Sequence, residues 1–222
     1  MKDWVRSNKG FILFLMLFGV FRTAIADWNP VPTGSMRPTI QEGDVVFINR
    51  LAYDLKVPLT DIIVSRLGEP QRGDVVTFSS PMNGTKLIKR LIAVPGDVVQ
   101  MKDDKVIING KVAEYALVET LPEPVENGKS ITAQRYDESM DERHHITQRF
   151  PARPLMPNFG PVTVPVDSFL MLGDSRDNSM DSRFIGFVPR ALLIGRAERI
   201  LVSADMLGNW MPRFDRFGRR LE

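Results

Sequence analysis

One serine, one lysine and a run of acidic and amide side chains are the residues here whose types and settings lend themselves to chemistry. Ser35 lies in Pro32-Thr33-Gly34-Ser35-Met36-Arg37-Pro38, a turn framed by glycine and proline. Lys89 lies in the largely apolar run Leu87-Ile88-Lys89-Arg90-Leu91-Ile92-Ala93, ahead of Pro95-Gly96-Asp97. The third segment is Gly173-Asp174-Ser175-Arg176-Asp177-Asn178-Ser179-Met180-Asp181-Ser182-Arg183. A serine hydroxyl is a poor nucleophile until a base takes its proton. Lysine can be that base only when neutral, which its ordinary pKa of about 10.4 makes rare in water. Burial among apolar groups lowers that pKa by disfavouring the charged form.

If 86–94 is a strand, alternate residues share a face. Lys89 then lies with Leu87, Leu91 and Ala93, while Lys86 and Arg90 fall on the other face as solvated charges. The same pattern suits an edge lysine that snorkels to water, and a turn serine often bonds only its own backbone. Against that reading, a loop of this kind can expose the Ser35 hydroxyl while its backbone amide points at a developing oxyanion. Ser-Lys nucleophilic catalysis is the chemistry that joins the two.

Other chemistries are poorly served. There is no cysteine, hence no thiol nucleophile, disulfide or cysteine-ligated zinc. His144 and His145 are the only histidines, in a polar run from Asp141 that reads as a solvated loop. A Ser-x-x-Lys motif fails because position 38 is proline, and 84–86 reads Gly-Thr-Lys rather than Lys-Thr-Gly. Asp174, Asp177, Asn178 and Asp181 do not make a calcium loop, since Arg176 interrupts the acceptors; a salt-bridged turn network fits them better. No metal is expected. A net charge of +2 is too mild to argue for nucleic acid.

The elements that must position these groups are mostly β. Val45–Ile48, Val75–Phe78 and Val98–Val99 each follow a Gly-Asp pair, and Asn109-Gly110 is a hairpin signal. Val162–Val164, Phe169–Leu172 and Gly195–Ser203 read as further strands. Between 114 and 160 the composition shifts to charge and proline, as in an inserted, partly mobile region. The tail from Trp210 to Arg220 mixes aromatics with arginines, suited to packing on the core or to a lipid surface. At the N-terminus, basic residues in 1–10 precede an apolar run, Phe11–Phe21, and Ala24-x-Ala26. This reads either as a cleaved signal sequence or as one membrane span over 11–26, with its basic end cytoplasmic.

Taken together, the three motifs, in this order behind an apolar N-terminal segment, resemble those of bacterial type I signal peptidases, serine endopeptidases with a Ser-Lys dyad. The resemblance covers roughly 27–111 and 161–203. It implies a β catalytic core over 27–113 and 161–222, a smaller β insert over 114–160, and an uncleaved single transmembrane helix over 11–26, with Ala26 a point where the enzyme could nick itself. The implied site has Ser35 as nucleophile and Lys89 as general base, with an oxyanion hole from the Ser35 amide and the Thr33 hydroxyl. Ser179 would orient the lysine, and Asp181, Arg183, Asp174 and Arg176 would brace the site. Val31, Pro32, Met36 and Ile88 would line shallow pockets for small residues at −1 and −3. The resemblance implies no cofactor, preprotein signal peptides and the lipid bilayer as partners, and a catalytic domain outside the inner (plasma) membrane. Ser175 and Leu87 depart from the common pattern, where Asn and an aromatic are frequent. A pilin-processing relative, or a secreted β-rich binding module without catalysis, are the competing readings.

Overall fold

The computed structural model describes residues 4, 8–124, 130–140 and 143–221. Along the chain run helix α1 (Lys9–Ala24) and strands β1 (Ala26–Pro30), β2 (Asp44–Asn49), β3 (Asp54–Lys56), β4 (Ile63–Arg66), β5 (Val75–Ser79), β6 (Lys86–Ala93) and β7 (Val98–Lys102). They continue with β8 (Lys105–Ile108), β9 (Lys111–Val112), β10 (Glu114–Pro124), β11 (Ser130–Met140), β12 (Arg143–Arg149), β13 (Phe159–Thr163) and β14 (Ser168–Leu172). A one-turn helix α2 (Ser182–Ile185), β15 (Val188–Pro189) and β16 (Leu193–Ser203) close the order. The chain is mostly β.

The three Gly-Asp pairs are three copies of one turn. In 41–44, 71–74 and 94–97 the glycine takes φ of +87°, +90° and +89°, a conformation that penalises any Cβ. The aspartate that follows accepts a hydrogen bond from the backbone N–H three residues back, at 2.8, 2.9 and 2.9 Å. Each turn thereby launches a strand: β2, β5 and β7.

The main sheet has the order β1-β2-β16-β5-β6-β14-β15, with antiparallel neighbours throughout. Alternation along β2 buries Val46 and Ile48. β7, β8, β9 and β13 form a second sheet, with φ of +52° and +81° at Asn109-Gly110 in its tight hairpin. The charge-rich stretch after Ala113 folds into a third sheet, β10-β11-β12. The expected solvated loop at the histidines is therefore a strand from Arg143 onward, and Asp141 and Glu142 lie outside the described residues. His144 is exposed, whereas His145 is packed against Glu138 at 3.5 Å.

The N-terminal helix differs from expectation at its end. It stops at Ala24, and Ala26 is buried in β1 opposite Asn49. Arg22 closes the corner by donating from Nε to Asp27 at 3.1 Å. Among the described residues no helix is long and apolar enough to cross a membrane. α1 has 16 residues, about 24 Å against a hydrocarbon core of about 30 Å. Part of the expected 1–10 segment lies outside the described residues.

A protease needs an extended, accessible segment, and the Ala26–Asp27 bond is instead inside a paired strand. Mass spectrometry of the folded, purified chain after long incubation is expected to find no break after Ala26. Stoichiometric cleavage there without prior unfolding would contradict this packing.

Candidate active site

Ser35 is carried by a single 3₁₀ turn, Gly34–Met36, entered from Thr33 in extended conformation. Its amide lies in the first turn, where N–H groups have no intrahelical acceptor. The turn is pinned from below by Met36, fully buried in a cluster with Val31, Ile40 and Val46, against which Ile88 packs. Of the expected pocket residues, then, Met36 and Val31 are spent largely on the core. Pro32 is exposed and Ile88 partly so.

Lys89 points from β6 to the same spot. It is 3% exposed, and its Nζ donates to Ser35 Oγ at 2.5 Å. Burial pushes its pKa down to about 8; Asp181 and Asp174 pull the other way, and Arg183 adds to the lowering. The lysine is thus near the balance between its two protonation states at neutral to mildly alkaline pH.

The segment 173–183 closes over this pair and is held by backbone contact. Ser175 N–H donates to the Ser35 carbonyl at 3.1 Å. A Cβ on Gly173 would collide with that carbonyl oxygen and with Ser179 Oγ, so only glycine permits the approach. Asp181 accepts two bonds from Arg183 at 2.8 Å each and one from the Gly173 N–H at 3.1 Å. Arg183 also donates to the carbonyls of Leu155 and Arg176 at 2.9 and 2.6 Å. Ser179 is 3% exposed and its Oγ has no hydrogen-bond partner among the described residues. It sits beside the dyad, but the expected bond to the Lys89 amine is not made.

Two arginine–carboxylate pairs extend the brace. Asp174 receives Nε and Nη2 of Arg90 at 2.9 and 2.8 Å and the Thr39 hydroxyl at 2.6 Å. Burial alone would raise the Asp174 pKa, but the Arg90 guanidinium, with His145 and the Thr39 hydroxyl adding to it, lowers it. Arg90, read from alternation as a solvated charge, is 1% exposed. β14 covers that part of β6, and Asp174 supplies the counter-charge. Arg176 is paired with Glu138 of β11, at 2.5 Å, which holds the Glu138 carboxyl at about 2 against its own burial. Backbone bonds between Gln148 and residues 174 and 176 fasten the third sheet to the same segment. Arg90, Thr39, Glu138 and Gln148 were not legible as site residues, because each acts through a partner far away in sequence. The histidines do not belong to the dyad: burial, with Arg90 next, drops His145 to about 4, and His144 faces Asp137.

The edge of β6 explains access. Leu91 exchanges backbone bonds with residues 73 and 74 on the β5 side. By antiparallel alternation Leu87 and Lys89 face β5 too, and Lys86, Ile88 and Arg90 face away. β14 pairs only from Arg90 onward. The outward backbone groups of Lys86 and Ile88 are therefore an open edge that ends at the dyad.

Removing the Asp174 charge leaves Arg90 buried and uncompensated, a fault that typically costs about 3–5 kcal/mol. Asp174→Asn is expected to lose about that much stability in urea unfolding of the detergent-solubilised chain; a loss below about 1 kcal/mol would show the pair is not the brace. Lys89 has the opposite sign. Its lowered pKa means that the unfolded chain binds more protons between about pH 8 and the ordinary lysine value, so its penalty is full below about 8 and relieved as pH rises through that window. Lys89→Met is expected to stabilise the fold at pH 7 by up to about 3 kcal/mol, from about 1.36 kcal/mol per pKa unit, with the gain shrinking toward pH 10. Equal melting shifts at pH 7 and 10 would refute it.

The model of the family described as "Signal peptidase, peptidase S26" matches residues 1–202. The signal peptidase I of Pseudomonas aeruginosa is 31% identical over 227 residues, covering 96% of this chain and 78% of its own. That of Rickettsia typhi is 34% identical over 234 residues, covering 92% and 85%. A solved signal peptidase I structure, from Enterococcus faecalis V583, matches 58% of this chain and 96% of its own, with 30% identity and a TM-score of 0.35.

Proposed function

Because this chain belongs to the signal peptidase, peptidase S26, family, we propose that it removes signal peptides from translocated preproteins, using Ser35 and Lys89. The observation that carries this reading is the 2.5 Å contact between Ser35 Oγ and a buried Lys89 Nζ whose pKa is pushed down to about 8. A lysine so placed can be neutral, and no other base touches the serine among the described residues.

In this reading the substrate lies as an added strand on the open edge of β6, its backbone bonded by Lys86 and Ile88. Small side chains at −1 and −3 settle against Ile88 and Pro32, over the buried floor of Val31 and Met36. Neutral Lys89 takes the Ser35 proton as Oγ attacks the scissile carbonyl, and the Ser35 amide with the Thr33 hydroxyl receives the oxyanion. The lysinium returns that proton to the leaving amine, which departs with the mature chain. Lys89 then draws a proton from water as it hydrolyses the acyl-Ser35 ester. Ser179 serves by excluding water beside the amine and by accepting a bond from it once the substrate displaces the Ser35 contact. Asp181, Arg183, Asp174 and Arg176 hold the segment that covers the dyad.

The chain acts at the outer face of the inner membrane. Helix α1 anchors it there with the basic N-terminus cytoplasmic. Residues 27–113 and 161–222 form the catalytic core and 114–160 the insert.

Cleavage of a preprotein bearing an Ala-x-Ala site tests the reading. Ser35→Ala and Lys89→Ala are each expected to lower kcat/KM at least 1,000-fold with the fold retained. The wild-type rate should rise with pH through a limb near 8, as Lys89 loses its proton. Substantial turnover by Lys89→Ala, or a rate flat from pH 6 to 10, would remove the dyad.

A further inference from the structure

The open edge of β6 does not end in bulk solvent at its far side. At Lys86 it meets a cleft of about 360 Å³ lined by Arg22, Asp27, Asn29, Arg50, Asp61 and Lys86. The end of α1, the start of β1 and the tip of the β3–β4 hairpin converge there. Lys86 Nζ reaches across to Asn29 Oδ1 at 3.4 Å and Asp27 at 3.5 Å, so β1 and β6 form the two banks of one channel.

Positive charge is in excess in this cleft. Arg22, Arg50 and Lys86 all turn on one carboxylate, Asp27, at 3.1, 3.9 and 3.5 Å. That carboxylate is already filled by Arg22 Nε, the Trp28 N–H and Asn29 Nδ2. Asp61, the second acid, lies 3.9 Å from Lys56. The Arg50 guanidinium makes no hydrogen bond among the described residues, and burial pushes its pKa below the ordinary value, with Asp27 and Asp61 offsetting only part. Three cations thus face two carboxylates, one of them, Asp27, already filled, with donors left over.

We propose that this cleft is a charge-selective subsite for the substrate, receiving the side chains four to six positions before the scissile bond and favouring acidic over basic ones. This rests on the signal-peptide reading above. Lys86 lies three strand steps before Lys89, about 10 Å, so a paired peptide cleaved at Ser35 has its fourth residue near Lys86 and the next two over the cleft. Its direction is set by α1: the apolar part of a signal peptide precedes its cleavage site and shares the bilayer with α1, whose C-terminal end forms this cleft. An acidic side chain there meets the spare donors of Arg22, Arg50 and Lys86, and a basic one meets like charge.

The test compares peptides that carry one Glu, Gln or Lys at −4, −5 or −6, cleaved by the full chain in detergent at low salt. The Glu-to-Lys ratio of kcat/KM is expected to be about 3–10 at one of these positions, the scale of partly exposed charge pairs, and to fall toward 1 at high salt. Lys86→Gln should reduce the ratio and Lys86→Glu should bring it to 1 or below. A ratio taken on one preparation is independent of how much of it is folded. A wild-type ratio of 1 at all three positions, or one untouched by Lys86→Glu, overturns the subsite. So does a Lys86→Glu variant that slows every peptide equally and responds to vesicles of phosphatidylglycerol, which would make the cleft a lipid headgroup site. Failure of the wild type to cleave even the Gln peptides would instead strike the signal-peptide reading itself.

Discussion

The structure turns on keeping one amine dry. A lysine at 3% exposure beside a serine hydroxyl is useful only if its surroundings disfavour the ammonium form, and nearby carboxylates would undo that. Asp174 and Asp181 are both close enough to raise the Lys89 pKa. Each is answered by a bidentate arginine, Arg90 and Arg183, so that the amine faces neutral pairs in place of bare anions. Desolvation then outweighs the residual attraction, and the pKa falls to about 8. Arg183 therefore does more than brace the loop: its charge also helps to lower the Lys89 pKa.

Strand β6 does three jobs because its neighbours differ along its length. β5 pairs with it from Lys86 to Arg90, whereas β14 joins only from Arg90. The paired half is roofed and can bury Arg90 and Leu91; the unpaired half leaves an edge for a peptide; Lys89 stands where the two meet. Segment 173–183 crosses this junction and bonds backbone-to-backbone to Ser35, possible only because Gly173 has no side chain to put between them. The third sheet enters through Glu138 and Gln148, so its long strands stiffen the cover over the dyad.

Much of this was legible from local chemistry. The Gly-Asp turns, the Asn109-Gly110 hairpin and the apolar alternation around Lys89 are short-range signals, and the strands follow them. Arg90 shows where such reasoning stops: alternation puts it on the face opposite Lys89, but whether that face is wet depends on β14, 80 residues on. Glu138 is similarly mute in sequence, one acid among many in a polar stretch, until Arg176 is folded against it. The end of α1 was misplaced for a related reason. Ala24-Ile25-Ala26 has helical propensity throughout, but Ala26 gains a strand partner in β2, and Arg22 turns back to Asp27.

Holding Lys89 neutral costs stability, and the charged braces are poor candidates to offset it. Buried ion pairs lose in desolvation much of what they gain in attraction. Compensation falls instead to the apolar clusters on either side of the sheet, among them Met36, Ile40 and Val46 under the serine turn and Val76, Phe78 and Leu91 on the other face. Each fully buried side chain of this size contributes about 1.5–3 kcal/mol, so one or two suffice against a penalty of about 3 kcal/mol for the amine. Met36, the residue next to the nucleophile, is immersed in such a cluster in keeping with this balance: packing under the turn that bears Ser35 adds to its one backbone bond from Ser175.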